Sequence, residues 1–402
     1  MKTFIQLGNA QAIQLKGFTS TKALVLLGWL LSLSLLTCAQ ELKIGDTHKE
    51  KVKGAIVYSK YVTNAELTFP SKNITSIKMN TGAGFLEVVP SETDEIALEA
   101  QVVNAALSRK DAEKFIDKYL HLSMENINGE LVIESFFQGL LRKRNETRYG
   151  LGHMIETPGS KIHVVLKVPA KINLNLYDRS GSINIHDLKN DIYLNDRSGY
   201  IKMKNIEGDI EVKDHSGQLA ISNTEGDLKI KDGSGGISLD GIGMEKGNHQ
   251  IEIYDRSGLI DARGIGGDLI VKDASGGLNI NLVTGSVEVT DGSGGLVLTE
   301  TDSYVKVKDT SGRVYLKDIA KNKEVPFEIL VTDGSGEIYL SNAGTDVVIK
   351  DRSGSIRVKD IQGDVEISDR SGEISARDIS GKLKVKDHSG KIHADNYMVS
   401  NK

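Results

Sequence analysis

The sequence predicts an all-β fold, a single-stranded parallel β-solenoid with 18-residue coils, on three observations. The tetrapeptide Asp-x-Ser-Gly begins at Asp178, Asp196, Asp214, Asp232, Asp255, Asp273, Asp291, Asp309, Asp333, Asp351, Asp369 and Asp387, and nine of the eleven intervals are 18 residues. Each unit divides into two nine-residue halves, DRSGSIRVK from Asp351 to Lys359 and DIQGDVEIS from Asp360 to Ser368. In both halves places 6 and 8 are apolar (Ile356 and Val358, Val365 and Ile367) between mostly polar neighbours, the period-2 signature of a half-buried strand. Third, 42 glycines stand against 5 prolines, which points to many tight turns.

Taken in chain order, the first element is an export signal over residues 1–39. Lys2, Lys16 and Lys22 precede the apolar run Ala23–Leu36, about the length of a signal-peptide core and short for a ~20-residue bilayer span. Thr37 and Ala39 suit cleavage after Ala39; alternatively Cys38, the single cysteine, is a candidate lipidation site of a bacterial lipoprotein signal. Either outcome leaves no disulfide in the mature chain, so packing must stabilise it. The expected address is outside the cytoplasm: periplasm, outer membrane or cell surface. Membrane contact is expected only through the signal or a lipid anchor.

Residues 40–170 read as a strand-rich capping region with one helix. Ser108 followed by Asp111 is a capping signature, and Phe115, Ile116, Tyr119 and Leu120 make a 3.6-period apolar face. This helix is expected to cover the open amino-terminal end of the solenoid, an edge that would otherwise pair with another chain.

Residues 171–402 hold the regular repeats. Two strands per repeat joined by constant corners fit a meander of hairpins or a coil climbing one strand spacing per turn. The coil accounts for place-by-place identity at 18, because each Asp, Ser and Gly then stacks on its counterpart. Twelve coils at ~4.8 Å give a rod roughly 55 to 60 Å long. The structural corner residues are exemplified by Asp178, Ser180 and Gly181, by Asp196, Ser198 and Gly199, by Asp214, Ser216 and Gly217, and by Asp351, Ser353 and Gly354. Gly at place 4 permits positive φ, and Asp and Ser can hydrogen-bond free corner amides. A column of carboxylates needs compensation. Lys213, Lys231, Lys272, Lys308, Lys350 and Lys386 before the aspartates, and Arg179, Arg197, Arg256, Arg352 and Arg370 after them, are expected to supply it as a solvated ladder of alternating charge.

Asn80–Pro90 (NTGAGFLEVVP), Val164–Pro169 (VVLKVP) and the following run of strand, Gly-Asp, strand, Ser-Gly resemble the bacterial putative-adhesin family of β-strand-repeat proteins, a family of unknown function. The resemblance spans roughly 320 residues. It implies a β-solenoid and an envelope address, and it carries no catalytic residues.

Chemistry-bearing motifs are sparse. Fifty basic against 55 acidic side chains, a formal charge of −5, argue against nucleic acid as partner. DHSG at Asp214 and Asp387 places Asp, His and Ser in a row, but the same corner recurs as DRSG and DGSG. His215 and His388 are nine coils apart, about 43 Å at one strand spacing per coil. The sequence has no HExxH, paired CxxC or phosphate loop. No cofactor is expected. Calcium at the corners is an alternative suggested by nine-residue β-rolls, yet in Asn205–Lys213 the acid Asp209 falls one residue before the inward place, which Ile210 takes.

The expected function is therefore a non-catalytic, exported, adhesin-like or scaffolding protein of the cell envelope with a glycan or protein partner. The alternatives are a carbohydrate-binding or polysaccharide-lyase-like solenoid and a calcium-stabilised module. Binding features to inspect are the insertions Met244–His249 and Ala320–Pro326, the segment Phe136–Arg148, and the outward tyrosines Tyr193, Tyr200, Tyr315 and Tyr339. Asn396–Lys402 is a slight cap for an exposed strand edge, so self-association is a further expectation.

Overall fold

Parallel ladders in register at the repeat length organise the protein. The structure is a computed structural model that describes residues 42–49, 59–138, 160–245, 248–320 and 328–398. Cys38, Ala39 and the apolar run lie outside the described residues, as do most of Phe136–Arg148 and of the second insertion. In the sheet of longer strands, Gly181 pairs with Gly199, Ile183 with Ile201, Ile185 with Met203 and Leu188 with Ile206. In the facing sheet of shorter strands, Ile192 pairs with Ile210, Leu194 with Val212 and Asp196 with Asp214. Parallel pairing of this kind continues to the last coil, where Gly372 pairs with Gly390 and Val365 with Leu383.

Side-chain alternation explains what fills the interior. One coil contributes Ile192 and Leu194 from its short strand and Ile201, Met203 and Ile206 from its long one, and all five are buried. Met203 and Ile206 are three residues apart, which strict alternation would place on opposite faces. Asn205 between them has φ 54°, a left-handed conformation that Asn and Asp tolerate, and this local bulge turns Ile206 back inward. Asp187, Asn223, Asp360 and Asp378 do the same at equivalent places. Their side chains also join neighbouring coils: Asn205 Nδ2 donates to Asp187 Oδ1 at 2.7 Å, and Asn396 Nδ2 to Asp378 Oδ1 at 2.7 Å.

The two insertions leave this frame intact. After Met244–His249 the ladder resumes with Leu228 opposite Ile251 and Gly235 opposite Gly258. Beyond the second insertion, Val305 pairs with Ile329 and Gly312 with Gly336. Both insertions follow a long strand, so they leave the solenoid at the same corner, the one opposite Asp-x-Ser-Gly.

Near the amino terminus the coils are interleaved. Strands Ser76–Thr81 and Ala83–Pro90 pair in parallel with Asn173–Tyr177 and Ser180–Leu188 on one side. On the other side they pair in parallel with Glu130–Phe137 and Lys161–Val168. An early coil is thus embraced by two later ones, and through it the parallel ladder runs without a break from Lys161–Val168 to Ser180–Leu188.

Antiparallel strands then end the stack, because they interrupt the repeat that another coil would have to match. Glu95–Ala106 pairs antiparallel with both Lys161–Val168 and Ser59–Pro70, and Leu120–Ile127 pairs antiparallel with Glu130–Phe137. The expected helix is Arg109–Tyr119, capped by Ser108, whose hydroxyl accepts from the Asp111 amide at 3.2 Å. Phe115 and Ile116 from its buried face join the core at this end. At the other end the last described coil has a neighbour on one side only: Leu383 and Val385 are partly buried, and Ile392 is 48% exposed.

Candidate functional site

The Asp-x-Ser-Gly corner stacks three columns. Each glycine N–H donates to the serine carbonyl of the next coil, as in Gly199 to Ser216 O at 3.2 Å and Gly276 to Ser293 O at 3.0 Å. The aspartate Oδ1 accepts backbone N–H from its own corner: Ser216 to Asp214 at 3.0 Å, Ser353 to Asp351 at 3.1 Å, and Arg197 to Asp196 at 2.7 Å. Serine hydroxyls reach to the coil before, Ser198 to Arg179 O at 3.5 Å and Ser216 to Arg197 O at 3.3 Å. Asp178, the first of the column, also receives a hydrogen bond from the Thr81 hydroxyl.

The expected alternating charge ladder is not what these corners form. Alternation places the aspartate on the same face as the inward Ile and Val, and puts the flanking Lys and Arg on the opposite face. Asp196 is fully buried, and Asp214, Asp291, Asp351 and Asp369 are at most 5% exposed. In ten of them, Asp196 through Asp369, Oδ2 is buried without a hydrogen-bond partner. Burial pushes the carboxyls of Asp196 through Asp351 above the ordinary 3.8, and Asp196, Asp232, Asp291 and Asp351 are pushed up to about 6. The like charges of neighbouring corner aspartates add to burial there, against the opposing effect of the backbone amides. At Asp214 burial also dominates, and His215 is a minor opposing influence.

The opposite corner carries carboxylates that do face water. Asp209 N–H donates to Asp191 Oδ1 at 3.0 Å, Asp227 N–H to Asp209 Oδ1 at 2.9 Å, and Asp364 N–H to Asp346 Oδ1 at 2.7 Å. Each exposed aspartate there satisfies an amide of the next coil. The Met244–His249 insertion is fastened at this edge: Glu245 N–H donates to Glu225 Oε1 at 2.8 Å, and His249 Nε2 lies 3.3 Å from Glu225 Oε2.

The outward tyrosines are engaged by their neighbours. The rings of Tyr315 and Tyr339 stack on each other, 4.9 Å apart and 6° from parallel. Lys213 Nζ lies 4.7 Å from the centre of the Tyr193 ring, and Lys272 Nζ lies 5.1 Å from that of Tyr254. Tyr200 is 44% exposed.

Sequence reasoning missed one feature, a groove of about 590 Å³ on the long-strand sheet near its antiparallel end. Lys43, Asn64, Glu66, Phe85, Glu99, Gln101 and His163 line it. They come from five strands, and the register aligns them: Asn64 opposite Gln101, Gln101 opposite His163, Glu66 opposite Glu99, and Lys43 opposite Glu66. His163 Nδ1 accepts from the Phe85 amide at 3.1 Å, which leaves Nε2 to carry the ring proton. Burial, and then Lys161 and Lys60, lower its pKa. Glu99 holds Lys167 Nζ. Polar side chains beside one aromatic ring suit hydroxyl-rich ligands. No local motif announces this groove, because only the sheet register assembles it. Among the described residues no group of three or more His, Cys, Asp or Glu side chains is placed to hold a metal ion.

Comparison with known proteins bears on family. The Toastrack DUF4097 family matches residues 140–341. No curated protein matches the chain. Among solved structures, a putative cell adhesion protein from Clostridium sporogenes ATCC 15579 is 8% identical, with a TM-score of 0.20, covering 83% of this chain and 99% of that one. A putative adhesin from Parabacteroides merdae ATCC 43184 is 13% identical, with a TM-score of 0.21 and coverage of 83% and 95%.

Proposed function

The chain belongs to the Toastrack DUF4097 family, and from that premise we propose that it is a non-catalytic, exported, adhesin-like or scaffolding β-solenoid of the bacterial cell envelope. The distribution of reactive groups supports this reading. In the repeats, carboxylates are spread from coil to coil rather than gathered in one cleft, and those of the Asp-x-Ser-Gly corner from Asp178 to Asp369 are inside the fold. In the groove, where Glu66 and Glu99 do adjoin, Glu99 is held by Lys167. Export rests on the Ala23–Leu36 run and its preceding lysines. Mass spectrometry of the mature amino terminus distinguishes acylation of Cys38 from cleavage after Ala39, and an intact cytoplasmic chain beginning at Met1 counts against export.

Carbohydrate binding without turnover is the second reading, and the groove favours it, with Phe85 beside Asn64, Gln101 and Glu66. The purified chain should retain envelope glycans on an array without shortening them. Depolymerisation that disappears in Glu66→Gln or Glu99→Gln would overturn the non-catalytic reading. A calcium-stabilised module is less well supported, because each corner Oδ1 already accepts backbone amides. A chelator should leave the melting transition where it is. Self-association at the last coil is checked by a concentration series in sedimentation.

A further inference from the structure

We propose that the Asp-x-Ser-Gly edge of the solenoid is a docking surface for a linear acidic polysaccharide, one whose sugars carry carboxylates. This rests on the envelope reading above and supplies the partner chemistry that it lacks. Along this edge, the residues before and after each buried aspartate point outward, and many are cations. Arg179, Arg197, Lys231, Lys350, Arg352 and Arg370 are all exposed. None of the six has a carboxylate within ion-pair distance among the described residues. The corner aspartates are turned inward behind this row, and Glu366 on the outer face is held low first by Lys384 and then by Lys386 and Lys350 without an ion-pair contact to either of those two. The long, flexible side chains stand one strand spacing apart, ~4.8 Å per coil. A linear polyanion lying along the axis can therefore meet a cation at successive coils.

The edge is one-sided. The opposite corner exposes Asp191, Asp209, Asp227, Asp268, Asp346 and Asp364. A broad polyanion such as a duplex would need a wide basic face, which a protein of net charge −5 with an acidic opposite edge does not offer. Nor does the edge present free aromatic platforms for nucleic-acid bases. The Tyr193 and Tyr254 rings beside it are already covered by lysine ammonium groups. A narrow chain of carboxylated pyranosides suits the geometry better, since it brings one charge per sugar and requires no stacking. The densest stretch is the carboxyl-terminal one, where Lys350, Arg352, Arg370 and Lys386 occupy three consecutive coils.

Affinity electrophoresis of the full chain in gels containing polygalacturonate, with dextran as the neutral control, tests the proposal. Polygalacturonate should retard the chain at low ionic strength, and dextran should not. Added salt should release it, because exposed charges are screened beyond ~10 Å at 0.1 M. A variant with Lys350, Arg352, Arg370 and Lys386 all changed to Gln should weaken retention at least about tenfold, by the loss of its charge contacts. A control with Lys306→Gln and Lys384→Gln, two lysines paired to Glu288 and Glu366, should retain most of it. Equal melting temperatures verify that both variants fold. Absence of retardation, equal weakening in both variants, or preference for single-stranded DNA over polygalacturonate would each overturn the proposal. If polygalacturonate retards the edge variant as strongly as the unaltered chain, the edge proposal falls and the adhesin reading stands. If the chain cleaves polygalacturonate, the non-catalytic reading falls instead.

Discussion

Leu174 lies in parallel register with Ile77, although the whole insertion from Ser91 to Ile172 separates their strands in sequence. The coil built from residues 76–90 is therefore the neighbour on which the regular repeats begin. A fragment starting at Lys171 should lose that neighbour and expose the edges of Asn173–Tyr177 and Ser180–Leu188 to other chains. Size-exclusion chromatography should find it aggregated, with the full chain eluting at its expected size. A fragment that stayed dispersed and melted cooperatively would show the early coil to be dispensable.

Glycine is required in one column and incidental in another. A Cβ on Gly276 would stand 1.8 Å from the carbonyl oxygen of Gly258, and Gly276 has φ 147°. At Gly295, on the outer face, nothing lies within 4 Å of the same atom. Gly276→Ala should destabilise the fold well beyond the ~1 kcal/mol of a typical substitution. Gly295→Ala should be neutral or slightly stabilising, through reduced freedom of the unfolded chain. Chemical denaturation of the two variants reads the difference.

Stability should increase on mild acidification. Asp196, Asp232, Asp291 and Asp351 titrate near about 6 when folded, against an ordinary 3.8. Between those values the folded state keeps protons that the unfolded chain has released. Their contribution is therefore full below the ordinary value and is lost as pH rises through about 6. The melting temperature should climb from pH 8 to pH 5. Below that range Asp187 and Glu252, whose partners Asn205 and Lys229 hold them low, lose their own contribution as they protonate. Asp291→Asn should flatten the slope between pH 5 and 8, and a melting temperature that falls steadily from pH 8 to 5 would contradict the buried column.

Thr301 is a polar residue in an apolar column. It lies between Val283 and Ile319 in register, is fully buried, and its hydroxyl has no partner. Thr301→Val keeps the shape and removes the unsatisfied group, which should stabilise the fold by about 1 kcal/mol. Denaturant midpoints at constant slope are the readout.

Much of this architecture is written in short-range pattern. The 18-residue recurrence, the apolar pairs such as Ile356 and Val358, and the Ser108 cap each act within a few residues, so they are legible one segment at a time. The buried corner carboxylates were legible as well: alternation puts Asp351 on the same face as Ile349, and the expectation of a solvated charge ladder overlooked that consequence. The groove was not, because Asn64, Gln101 and His163 meet only once three separate strands are in register.

The sequence by itself determined the coil, its corners and which side chains face inward, because each depends on backbone conformation and side-chain alternation that neighbouring residues impose. Only the tertiary structure decided which coil stacks on which, how antiparallel strands finish one end, and where the cations of one edge stand relative to buried acids. Those outcomes depend on pairing between distant strands, and strand pairing is settled by the packing of the assembled sheets.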